Sequence, residues 1–173
     1  MKTKTPKLLL AAAVLAMALP LTAVAAKGDI IIGQATVIDG DTIDIRGKRI
    51  RLHGIDAPER NQSCTDQSGQ SIRCGVMVTR ALDEHIARRN VACQVMDVDR
   101  WGRFVGRCDV PAARSGAITG TMNRALAQAG YVYAMPRYSR DYVGDVDRAR
   151  AQRQGLFAGQ FEEPAEFRRR ARK

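Results

Sequence analysis

The chain has 173 residues and a formal net charge of +10. That length supplies one core rather than several, and outside residues 8–24 no stretch is apolar enough to cross a bilayer. Positive charge gathers polyanions but also keeps a protein in solution, so charge alone does not choose a partner.

Lys2, Lys4 and Lys7 precede the apolar run, which Pro20 interrupts and the small residues Ala23-Val24-Ala25-Ala26 close. This order of basic, apolar and small residues reads as a signal peptide over residues 1–26, cut after Ala25 or Ala26. Export to a periplasm or the extracellular space follows, with no membrane attachment after cleavage. Removal takes three of the 28 basic residues and none of the 18 acidic ones, leaving a net charge of +7 on a chain of about 147 residues. Nucleic acid is the natural partner for such an excess.

Next come β-branched, partly alternating runs: Ile30-Ile31-Ile32 through Val37-Ile38, then Thr42-Ile43-Asp44-Ile45, then Arg49-Ile50-Arg51-Leu52. Asp-Gly and Arg-Gly dipeptides separate them, so they read as three antiparallel strands joined by tight turns. Residues 75–89 place Val78, Leu82, Ile86 and Arg89 at helical spacing and form a first helix. Residues 91–98 and 104–110 form a hairpin that Pro111 ends. Thr121 caps a short helix through Ala129, with Gly130 left-handed after it. Ser139 or Asp141 starts a last helix through Gln154, which Gly155 closes. Five strands, with a helix inserted after the third, match an α+β architecture: a five-stranded Greek-key barrel of OB-fold type carrying about three helices. The domain then runs over residues 27–160. Residues 161–173, with Arg168, Arg169, Arg170, Arg172 and Lys173, read as a basic, solvated, disordered tail.

The four cysteines all lie in the exported part, where thiols are oxidised. Cys93 and Cys108 flank Asp99-Arg100-Trp101-Gly102 almost symmetrically, and a hairpin turning there sets them opposite each other. Cys64 and Cys74 then close the polar loop between them. Four cysteines also suit zinc, but no C-x-x-C pair occurs.

Chemistry is concentrated in Asp39-Gly40-Asp41-Thr42, Arg51, Asp56-Ala57-Pro58-Glu59 and Trp101-Gly102-Arg103. Asp39-Gly40 alone is an ordinary hairpin turn suited to positive backbone angles. Together these residues offer hard oxygen ligands, a spare carboxylate and two guanidinium groups, the combination that phosphodiester hydrolysis needs. Asp41 begins one strand and Asp56 ends another, so a closed sheet can bring both to one rim. The backbone carbonyl of Ala57 completes an oxygen-only cation site suited to Ca²⁺, Mg²⁺ or Mn²⁺ rather than zinc or copper.

The ordered set I-D-G-D-T, R-L-x-x-x-D-x-P-E and D-R-W-G-R resembles the thermonuclease family, whose type member is staphylococcal nuclease, over residues 33–157. The resemblance implies a Ca²⁺-dependent hydrolase, an endonuclease cleaving DNA and RNA to products with 3′-phosphates. It implies Ca²⁺ on Asp41, Asp56 and the Ala57 carbonyl, and Glu59 positioning or deprotonating the attacking water. Arg51 and Arg103 then bind the phosphate and its transition state. It also implies a tyrosine that stacks on a base; of Tyr131, Tyr133, Tyr138 and Tyr142, Tyr138 is favoured because it lies just before the last helix. Single-stranded substrates are expected to be preferred, and the protein to be a monomer. Asp39 is either a neighbour supporting the metal ligands or only a turn former, Asp99 orients Arg103 or shapes its hairpin, and His53 and His85 have packing or surface roles. The rival reading is a non-catalytic nucleic-acid-binding OB-fold module.

Overall fold

The computed structural model describes residues 25–110, 118 and 120–172. Most of the expected signal peptide, and Pro111, lie outside those residues. Among the described residues no helix is long and apolar enough to cross a membrane.

The main sheet has six strands: β1 (Ile30–Gln34), β2 (Thr36–Asp39), β3 (Thr42–Ile45), β4 (Lys48–Leu52), β8 (Asn90–Val98) and β9 (Phe104–Asp109). Their order is β1-β8-β9-β4-β3-β2. Four short strands in two antiparallel pairs complete the set: β5 (Ile55–Asp56) with β10 (Tyr133–Ala134), and β6 (Cys64–Thr65) with β7 (Ser71–Ile72). The expected α+β, OB-fold-like barrel is thus present as a curled sheet. In the main sheet, the first expected strand is two. It breaks at Ala35 because its halves pair differently, β1 with β8 and β2 with β3. Gly33 sits just before the break, where an added Cβ would meet Ile45 Cγ2 at 2.9 Å, so only a residue without a side chain lets the strand fold over so closely. Parallel pairing of β4 with β9 joins the two halves of the sheet.

The helices are α1 (Cys74–Ile86), α2 (Thr121–Gln128), α3 (Val143–Ala151) and α4 (Pro164–Ala171), with a 3₁₀ turn at Gly155–Ala158. Val78, Leu82 and Ile86 of α1 pack on Ile43, Ile50, Leu52, Val91 and Val95 from the sheet in one apolar core. Helix α1 stops earlier than its apolar spacing indicated, because Ala87 and Arg88 both turn left-handed. Thr121 does not cap α2 through its side chain; its N–H and hydroxyl both donate to Asp109 Oδ1 instead, at 2.7 and 3.0 Å. Gly130 does adopt the left-handed angle expected after α2.

The fourth helix overturns the reading of the C-terminal segment as a disordered end. Pro164 opens α4, Glu166 lies in its first turn, and Arg168, Arg169 and Arg170 lie in its last. Proline at the start, acid near the positive end and base near the negative end are a helix signature. Read only as a run of charge, the segment hides it.

Both disulfides form as expected, Cys64–Cys74 and Cys93–Cys108. Cys93 faces Cys108 directly across the β8–β9 ladder. The second bridge closes a loop with a sequence separation of 15. Replacing both cysteines by alanine is therefore expected to lower stability by about 3 kcal/mol in urea unfolding, and a loss under about 1 kcal/mol would contradict this role.

Candidate active site

Asp41 enters the site from the turn between β2 and β3, and that turn is shaped by crowding. Gly40 is not at a positive φ, contrary to the sequence expectation. A Cβ there would instead lie 2.8 Å from both Ala57 Cβ and Val78 Cγ1. Glycine thus lets the turn press against helix α1 and the Asp56-Ala57 segment, which brings the two aspartates together. Asp39 Oδ1 accepts the Asp41 N–H at 3.0 Å, which is the bond of a turn former.

Asp41 is buried and fully engaged. Its Oδ1 accepts from Thr42 Oγ1 at 3.1 Å and its Oδ2 from the Ala57 N–H at 3.0 Å. Thr42 and Arg51 are register partners on β3 and β4, so the Arg51 side chain rises beside Asp41. Arg51 Nη2 lies 3.0 Å from Asp41 Oδ2 and 2.6 Å from Asp56 Oδ1. One nitrogen thus touches both carboxylates. Asp56 closes β5, opposite Tyr133 of β10, and is only 2% exposed.

Burial pushes the Asp41 carboxyl up to about 7, and the neighbouring Asp39 and Asp56 add to the rise, while Arg51 and the Ala57 N–H oppose it. Burial disfavours the Arg51 charge, but Asp41 and Asp56 more than compensate, and its pKa rises above the ordinary arginine value. The cluster holds more carboxylate than one guanidinium can balance.

Glu59 sits at the start of a tight turn locked by a residue that sequence reasoning passed over. Gln62 is fully buried. The Glu59 N–H donates to Gln62 Oε1 at 3.2 Å, the Gln62 N–H donates to the Glu59 carbonyl at 2.7 Å, and Gln62 Nε2 donates to the Glu162 carbonyl at 2.8 Å. Gly75 at the start of α1 completes the lock, since a Cβ there would strike the Glu59 carbonyl oxygen at 1.8 Å. The Glu59 side chain remains 37% exposed and water can reach it.

Arg103 comes from the β8–β9 hairpin. Asp99 does both things considered for it. Its Oδ1 accepts the N–H groups of Trp101 and Arg103 at 2.9 and 3.0 Å, and its Oδ2 accepts Arg103 Nε at 2.7 Å. Gly102 supplies the positive φ of +78° that the turn requires. Among the described residues no carboxylate pairs with the Nη groups of Arg103, which are thus available to a ligand. Trp101 is 63% exposed, with the guanidinium carbons of Arg100 and Arg103 at 4.2 and 5.2 Å from its ring centre.

One open cleft of about 1630 Å³ is lined by Asp39, Asp41, Arg51, Ala57, Glu59 and Arg103, and Asp56 lies just beneath it. The residues singled out in sequence are therefore brought together. Tyr138 lines the same cleft and is 64% exposed. The other tyrosines are engaged elsewhere: Tyr142 is buried, Tyr131 packs on the core, and Tyr133 donates its hydroxyl to the Phe161 carbonyl at 2.8 Å. His53 is half-buried on the cleft wall, and His85 is partly buried on α1.

Two hard carboxylates meeting around one cationic nitrogen have the donor chemistry of a seat for a hard divalent cation. The side chains alone do not complete it, for among the described residues no group of three or more His, Cys, Asp or Glu converges as a metal site. The backbone oxygen expected from Ala57 and water are what such a seat requires in addition.

The residue most clearly missed is Arg168. Helix α4 delivers it into the cleft, where its Nη1 lies 2.7 Å from Glu59 Oε1 and 3.1 Å from Asp56 Oδ1, and its Nη2 lies 2.8 Å from Asp56 Oδ2. Burial opposes its charge, but these bonds raise its pKa above the ordinary arginine value.

A curled OB-type sheet whose rim gathers two aspartates, a glutamate and two arginines matches one known class. The family model described as staphylococcal nuclease homologue matches residues 49–158. The chain belongs to that family. It is 31% identical over 144 residues to a micrococcal nuclease of Shigella flexneri, covering 77% of each chain. It is 30% identical over 128 residues to an uncharacterized endonuclease of Escherichia coli O157:H7, covering 70% of this chain and 73% of that one. A third relative, the succinoglycan biosynthesis protein ExoI of Rhizobium meliloti, is 50% identical over 92 residues, which are 53% of this chain and 48% of the relative. The match thus spans about half of that relative's length.

Gln62→Leu leaves the Glu59 N–H and the Glu162 carbonyl without their side-chain partner. A loss of about 1–3 kcal/mol in urea unfolding is expected, and an unchanged midpoint would show the lock to be dispensable.

Proposed function

We propose that the protein is an exported, Ca²⁺-dependent endonuclease that hydrolyses phosphodiester bonds of DNA and RNA and leaves 3′-phosphates. The observation that carries this reading is Arg51 Nη2 spanning Asp41 and Asp56 on the floor of a cleft that Glu59 and Arg103 also line. Family membership and the nuclease names of two relatives support it. Two disulfides fit an oxidising destination.

In this reading Asp41, Asp56 and the Ala57 carbonyl hold Ca²⁺, which when bound supplies Lewis-acid polarisation of a phosphoryl oxygen. The chain's own groups do the rest. Arg51 and Arg103 donate to the phosphoryl oxygens, where negative charge grows as water adds to phosphorus. Arginine suits that task because its fork binds two oxygens and keeps its charge at any working pH. Asp99 holds Arg103 by Nε, so little reorganisation is needed when the phosphate arrives. The Glu59 carboxylate orients the attacking water or takes its proton, and the turn fixed by Gln62 keeps it in place. Departure of the 5′-oxygen leaves the phosphate on the 3′ side.

Tyr138 and Trp101, both exposed on the cleft, offer faces on which bases of an extended single strand can stack. The Arg100 and Arg103 charges beside Trp101 add attraction for the backbone. Single strands are therefore the preferred substrate in this reading, and the protein acts as a monomer.

Glu59→Gln separates a catalyst from a binding module of the same fold. Cleavage by the purified chain should fall by about 10²–10⁴-fold while binding to a single-stranded oligonucleotide persists. A wild-type chain with no chelator-sensitive cleavage to lose would instead support the non-catalytic module. On matched single- and double-stranded oligonucleotides the single strand should be cut faster, and faster cutting of the duplex would overturn the stated preference.

A further inference from the structure

Arg168 stands where the proposed chemistry requires something else. Both oxygens of Asp56 are taken by its guanidinium, and Glu59 is held by the same side chain. Arg51 already occupies the other side, so two guanidinium groups serve three carboxylates. A divalent cation bound through Asp56 must take oxygens that Arg168 now uses, and would stand beside it as a like charge. Coexistence of the two is therefore unfavourable on both counts.

The attachment of α4 is suited to release. Of its residues only Pro164 is buried. Just before the helix the chain is anchored by Phe161, which packs on Tyr133 and Phe157, and by the bond from Gln62 Nε2 to the Glu162 carbonyl. Within α4 beyond Pro164, the ion pairs to the domain are those of Arg168, so the helix can swing out about that anchor. The Arg170–Glu162 and Arg169–Glu166 pairs lie within the segment itself and do not fasten it to the sheet. An element with so little apolar burial opens at low cost, whereas the sheet beneath it does not.

We propose that α4 is an intramolecular latch in which Arg168 fills the carboxylate seat of the divalent cation, so that cation binding and docking of α4 exclude each other. The inference rests on the assignment of Asp41 and Asp56 as cation ligands made above. Latching keeps Asp56 and Glu59 neutralised when the cation is scarce. It also lowers the apparent affinity for the cation by the fraction of molecules in which the seat is free. Release of Arg168 both opens the seat and frees Glu59 for water.

The test is Ca²⁺ titration by calorimetry on the full wild-type chain, Arg168→Ala and Arg168→Lys, joined with hydrogen exchange of wild-type residues 162–171 with and without Ca²⁺. The latch predicts that Arg168→Ala binds Ca²⁺ about tenfold more tightly or better, with Arg168→Lys between the two. It also predicts that Ca²⁺ speeds exchange in α4 of the wild type, a readout that does not depend on any variant folding. Equal or weaker binding by Arg168→Ala, together with α4 protection unchanged or increased by Ca²⁺, overturns the latch and makes Arg168 a further phosphate-binding or Glu59-positioning group. No Ca²⁺ binding by wild type or by either variant overturns the cation assignment and the latch with it.

Discussion

Two carboxylates buried side by side repel each other, and this chain keeps Asp41 and Asp56 together by standing Arg51 between them. The strain shows in the Asp41 carboxyl, which burial and its acidic neighbours push up to about 7 despite the arginine. Such a cluster contributes little to stability compared with an apolar replacement. What the fold holds in place is an oxygen-rich cluster capped by two guanidinium groups, Arg51 and Arg168. Everything else at the rim is arranged around that cluster.

The sheet brings the cluster together through connections that sequence separation hides. Strand β3 starts beside Asp41, β4 carries Arg51 as the partner of Thr42, and β5 ends at Asp56. Two glycines act here through close approach rather than through backbone freedom: Gly40 admits the aspartate turn against Ala57 and Val78, and Gly75 admits α1 against the Glu59 carbonyl. Adding one methyl group at either position would displace Asp41 or Glu59. The Cys93–Cys108 bridge crosses the same hairpin that presents Arg103 at its tip.

That Asp41, Arg51, Asp56, Glu59 and Arg103 gather at one cleft was legible because each lies in a short motif whose residue types fit phosphate chemistry, and both disulfides followed from hairpin symmetry and loop closure. The position of Tyr138 just before the last expected helix distinguishes it from the other three tyrosines, and among the described residues it is the tyrosine exposed on the cleft. Gln62 was not legible, because its role depends on a carbonyl 100 residues away. Arg168 was hidden for a different reason. A basic run at the end of a chain suggests a solvated tail, and only the Pro164, Glu166 and arginine order within it indicated a helix. Nothing in that order shows that one of its arginines reaches Asp56, 112 residues earlier.

The central claim is that these groups form one site for a cation and a backbone phosphate. The most direct measurement is a crystal structure of the Glu59→Gln chain with Ca²⁺ and a short single-stranded oligonucleotide. The account predicts a cation on Asp41 and Asp56, and a bridging phosphate against Arg51 and Arg103. Nucleic acid bound on another face, or a cation held by residues other than these aspartates, would contradict it.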